Sequence, residues 1–92
     1  MPSDLKSTRL TETGAIFAGP GRLKALSWVS GASAGTIQVR DGGASGTVIC
    51  TVDTPAGATL SGSIGLPENG MRCETDIYIT LTNVGFCTAW YA

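Results

Sequence analysis

Between residues 76 and 82 the chain alternates strictly. Ile77, Ile79 and Leu81 are apolar, and Tyr78, Thr80 and Thr82 between them are polar or aromatic. Successive side chains of a strand point to opposite faces of a sheet, so this spacing predicts a half-buried β-strand. The rhythm recurs along most of the chain, and no helical stripe competes with it. Arg22 to Val29 predicts a strand with Leu23, Ala25, Ser27 and Val29 on one face. Its other face begins charged (Arg22, Lys24) and ends apolar (Leu26, Trp28), as expected of an outer face wet at one end and covered at the other. Thr36 to Arg40 places Ile37 and Val39 inward, and Thr47 to Asp53 sets Val48, Cys50 and Val52 on one face. Ala58 to Leu66 alternates Leu60, Gly62, Ile64 and Leu66 with polar positions. A glycine within such a run marks a bulge or a close backbone approach. Phe86 to Tyr91 is apolar on both faces: Phe86 and Trp90 share one, and Cys87, Ala89 and Tyr91 share the other.

Turn signals separate these runs. Gly19-Pro20-Gly21 combines fixed and permissive backbone angles, Asp41-Gly42-Gly43-Ala44-Ser45-Gly46 is a hairpin loop, and Pro67-Glu68-Asn69-Gly70 is a further turn. Seven or eight short strands punctuated roughly every 8 to 12 residues predict an all-β fold. The expected architecture is an antiparallel β-sandwich, jelly-roll-like. An immunoglobulin-type sandwich is not supported, because the Cys-Trp-Cys spacing is missing. Residues 1–13 read as an extended N-terminal arm or edge strand, and residues 14–92 as the β-sandwich domain.

Ninety-two residues make one domain, small enough that a disulfide, a metal or an oligomer partner often supports such a fold. Six basic and seven acidic residues give a net charge of −1. The basic residues are scattered, which argues against nucleic-acid binding. Cys50, Cys73 and Cys87 are too few and too widely spaced for a disulfide framework or a zinc site, so free, inert thiols are expected. The N-terminal stretch has no apolar signal-peptide core, and no apolar run reaches the roughly twenty residues of a membrane helix. A soluble protein made in a cytosol is the expectation.

Histidine is absent, which excludes Ser-His-Asp, Cys-His and imidazole-metal sites. Glu74 and Asp76 could formally pair as acid and base, but a solvated strand end explains them better. Asp41-Gly42-Gly43 lacks the further oxygen ligands of a calcium loop and reads as a turn. The expectation is therefore a protein that is not an enzyme and has no cofactor or metal. Trp28, Trp90 and Tyr91 are read either as core or as interface anchors. On the second reading they join Leu26, with Ile16 and Phe17 contributing, in a self-associating or partner-covered surface.

The blocks Leu23-Lys24-Ala25-Leu26, Gly35-Thr36-Ile37-Gln38-Val39-Arg40-Asp41-Gly42, Gly46-Thr47-Val48, Gly70-Met71-Arg72-Cys73 and Ile77-Tyr78-Ile79-Thr80-Leu81 carry a resemblance over residues 15–91. Together the chain resembles the small β-sandwich virion structural proteins of tailed bacteriophages, of the cyanophage type. The Arg40-Asp41-Gly42 hairpin is the sharpest element of that likeness. The resemblance implies a non-enzymatic capsid decoration (cement) protein, located in the virion and assembled in the host cytoplasm. Its implied partners are the major capsid protein or other virion proteins, and further copies of itself, with a trimer favoured. It also implies an N-terminal arm that grips the shell, here with Leu5, Arg9 and Leu10. The alternative is a tail or head-fibre component, or a carbohydrate- or receptor-binding module that uses exposed aromatics.

Overall fold

The computed structural model describes residues 5–57, 60–66 and 70–92. Nine strands follow in order: β1 Lys6–Leu10, β2 Gly14–Phe17, β3 Gly21–Ser30, β4 Gly35–Asp41, β5 Thr47–Thr54, β6 Ser61–Gly65, β7 Met71–Cys73, β8 Ile77–Thr82 and β9 Val84–Tyr91. All pairings are antiparallel. One sheet has the order β1-β9-β3-β6, with β7 also on β3, and the other has the order β2-β8-β4-β5. Strands β6 and β7 share the same edge of the ten-residue β3. The first pairs with Ala25 to Val29, and the second with Gly21 to Leu23. Counted as one interrupted strand, they leave a four-on-four sandwich in which the chain passes repeatedly between layers. This is the jelly-roll arrangement of two interleaved Greek keys. The predicted all-β sandwich is thus the observed one.

The core lies between the sheets and draws equally on both. Leu23, Leu26, Cys73, Cys87 and Ala89 come from the five-stranded sheet, and Ile16, Ile37, Val39, Ile77 and Ile79 from the four-stranded one. Burying each of the larger side chains stabilises the fold by about 1.5–3 kcal/mol. Strand β8 keeps the predicted alternation, with Ile77 and Ile79 fully buried.

Register shifts interrupt the pairing at four places, and those in β3 and β5 change the faces expected from alternation. In β3, the step from Leu23 to Ala25 faces a single step from Tyr91 to Trp90, so Lys24 is the extra residue. The insertion switches faces. Leu23 is inward before it, and Leu26 and Trp28 are inward after it, opposite Ala89 and Cys87. The expected assignment of Ala25, Ser27 and Val29 to the inner face is therefore corrected: they point outward. In β5, Ile49 is the extra residue between Val48 and Cys50. Cys50 and Val52 keep the expected inward side, and Val48 turns out beside Arg40 with 39% exposure.

Two crossings between the sheets pack on each other. Asn83, with φ of 55°, turns the chain from β8 into β9. The Gly31 amide donates to the Asn83 carbonyl at 3.1 Å, and the Asn83 side-chain amide donates to the Ala34 carbonyl at 3.2 Å. A Cβ at Gly31 would collide with the Asn83 carbonyl, and one at Gly35 with the Thr82 carbonyl. Only glycine lets these backbones approach so closely.

Candidate functional site

The outward positions of the five-stranded sheet follow from its register. Strand β1 presents Ser7 and Arg9, and β9 presents Phe86, Thr88 and Trp90. Strand β3 presents Arg22, then Ala25, Ser27 and Val29 beyond the bulge. At the far edge Ser61, Ser63 and Arg72 complete the face. None of these positions holds an acidic residue. The Arg9 guanidinium lies over the Phe86 ring, 4.6 Å from its centroid, and Phe86 is 42% exposed. A cation held over an aromatic face is attracted by the ring quadrupole. Beside this pair an open groove of about 190 Å³ crosses β1, β9 and β3, walled by Arg9, Phe86, Thr88, Ser27 and Val29.

The residues expected to form one interface do not share one surface. Ile16 and Leu26 are core, at 5% and 1% exposure. Ile16 faces inward from β2, and the Lys24 bulge turns Leu26 inward. Trp28 is also inward and partly buried against the core. Its ring lies over Gly62 in β6, where a Cβ would stand 2.6 Å from the ring carbon Cζ2. Gly62 thus marks a close approach, by a side chain. Tyr91 packs against the core at one end of the sandwich and stacks on Phe17, with centroids 5.3 Å apart and planes at 28°. Phe17 remains 40% exposed. Of the six, Trp90 stands on the outer face described above.

The three residues assigned to the arm lie on or just before β1. Leu10 packs against the core, Arg9 points out over Phe86, and Leu5 is 47% exposed. From Lys6 to Leu10 the segment is an edge strand paired with β9 of its own chain.

Two of the acidic residues weighed for chemistry, Asp41 and Asp76, hold loops in place. The Asp41 carboxylate accepts from the amides of Glu74 (2.9 Å), Thr75 (2.8 Å) and Asp76 (3.4 Å). In return, one Asp76 carboxylate oxygen accepts from the amides of Gly42 (2.9 Å) and Gly43 (3.0 Å). Each loop's carboxylate thus holds the other loop's backbone. The amides of Glu74 and Thr75 lower the Asp41 pKa below its usual value. Glu74 lies 4.0 Å from Arg72, an exposed pair of little energetic consequence.

The three cysteines are free. Burial raises the Cys73 and Cys87 thiols to about 11, and the charges of Asp41 and Asp76 add to the shift at Cys73. They are small core side chains in their protonated form.

Sequence reasoning did not single out Phe86, Val29, Arg22 or Arg72 as surface partners. The shared period-two face of Phe86 and Trp90 was visible in the sequence, but the strands that flank it were not. No family model matches the chain, and neither the curated proteins nor the solved structures contain a match to it.

Proposed function

We propose that the chain is a non-enzymatic structural protein of a phage virion, a capsid decoration protein that stabilises the shell through contacts with shell proteins and with copies of itself, a trimer being favoured. The observation that carries this reading is the outer face of the five-stranded sheet. It combines Phe86, Trp90 and Val29 with three arginines and short hydroxyl side chains, and nothing else among the described residues covers it. Aromatic residues and arginine are the side chains enriched where proteins meet, and acidic residues are depleted there. The jelly roll is an architecture used by viral shell proteins and by lectins, so fold alone does not choose between them. The choice of a shell rests on the resemblance in the strand and hairpin blocks. The reading is consistent with Asp41 and Asp76, whose carboxylates hold two loops together.

The test is the protein content of gradient-purified particles from cells that produce the chain. Mass spectrometry is expected to find it in a fixed ratio to the major capsid protein. Recovery of the chain only in the particle-free fraction overturns the reading.

A further inference from the structure

We infer that the outer face of the five-stranded sheet docks on an acidic patch of the shell protein, with a partner carboxylate seated in the groove beside Arg9. The inference rests on the proposed virion role and adds the surface and the chemistry of the contact. Arg9, Arg22 and Arg72 point out from β1, β3 and β7, and no acidic residue stands among the outward positions of that sheet. Arg22 and Arg72 are direct cross-strand neighbours. Like charges directly opposite each other destabilise a sheet. Among the described residues, the one carboxylate paired with either of them is that of Glu74, beyond the end of β7, at 4.0 Å from Arg72. A carboxylate-bearing partner relieves this repulsion.

The groove gives the contact its geometry. Among the described residues its one charged wall is Arg9, held over the Phe86 ring. An arginine fixed against an aromatic has lost part of its rotamer freedom before binding, and its guanidinium matches a carboxylate fork. Ser27 and Thr88 are cross-strand neighbours and bring two hydroxyls to the floor. Val29 and the ring of Phe86 supply apolar walls beside the ion pair. A carboxylate there accepts from the guanidinium and from one or both hydroxyls.

Substitution Arg9→Glu tests this in the full-length protein. Particles stripped of the chain are re-decorated with wild type or R9E, and retention is measured by sedimentation. R9E is expected to bind at least about tenfold more weakly, with its solution mass and thermal midpoint unchanged. Wild-type binding is expected to weaken as salt rises from about 0.05 to about 0.5 M. A second variant, Arg22→Glu at the other end of the face, is expected to lose binding in the same direction and guards against a local folding defect in β1. Retention of R9E and R22E at wild-type levels overturns the docking face and leaves the virion role standing. A change in the oligomer mass of R9E shows that a second copy covers the face, which overturns the choice of partner. Absence of wild type from particles removes both readings.

Discussion

The two sheets share a core and differ on their outer faces. On the four-stranded sheet the outward residues include Ala15, Thr36, Gln38, Arg40, Thr51, Asp53, Tyr78, Thr80 and Thr82, with Val48 beyond the β5 bulge. Its arginine is engaged within the chain: Arg40 donates to the Thr80 hydroxyl at 3.1 Å, the Gly46 carbonyl at 3.0 Å and the Gln38 side-chain carbonyl at 3.1 Å. On the five-stranded sheet, Arg9 is held against an exposed aromatic ring and has no carboxylate beside it among the described residues. On the first face the arginine is held by hydrogen bonds to its own chain. The other carries charge and apolar area without such bonds among the described residues, and on the reading proposed above it is the contact side of the jelly roll. Side-chain chemistry, more than backbone, separates the two faces.

Substitutions can break or sharpen this contrast. The largest effect is expected from Leu26→Ala, which removes core shared by both sheets. It should lower stability by about 2–5 kcal/mol, measured by denaturant unfolding. Gly35→Ala should also destabilise strongly, since the added methyl meets the Thr82 carbonyl where the two crossings touch. Next, Phe86→Ala and Thr80→Ala form a matched pair on opposite outer faces. F86A is expected to weaken particle binding by about tenfold with a stability change near 1 kcal/mol or less, whereas T80A leaves binding unchanged. Equal binding losses would erase the distinction between the faces.

A pH titration separates loop clasp from surface. The folded-state pKa of Asp41 is depressed below 3.8, so its contribution is present above the unfolded value and is lost as pH falls through the folded one. Wild type is expected to lose stability on acidification below about pH 4, with the Asp41→Asn variant losing less over the same range. The smallest signal concerns the thiols. Cys73 and Cys87 are fully buried and protonated, so native protein should react with iodoacetamide mainly at Cys50, which is partly exposed. Rapid labelling of all three would show that the sandwich opens readily.

Much of the fold was legible in the sequence because most strands keep a clean alternation. Ile77 to Thr82 and Thr36 to Arg40 bury the side that their pattern indicates, and the Asp41 to Gly46 loop runs from the last residue of β4 to the start of β5 as a hairpin loop should. What failed did so for a local reason. A bulge inserts one residue and reverses every side chain beyond it, so Leu26 and Trp28 went inward and Val29 outward. Nothing in Arg22-Leu23-Lys24-Ala25 announces that insertion. The candidate surface was harder still. Arg9 meets Phe86 only because the first strand lies against the ninth, a pairing that alternation in either strand cannot disclose. The clasp between Asp41 and Asp76 is nonlocal in the same way: each residue is an ordinary turn or strand-end aspartate until the loops are brought side by side.

Strand β9 lies between β1 and β3 and pairs with both. It is also the last of the nine to leave the ribosome. During synthesis, β1 and β3 must therefore wait with an open gap between them while the strands of the second layer emerge. Long-range closure of this kind is slow and exposes unpaired edges meanwhile. The face that carries Phe86 and Trp90 comes into being only when β9 fills the gap. On the proposed reading, incomplete chains lack the surface through which a finished subunit would join its neighbours, and the order of synthesis would itself act as a checkpoint on assembly.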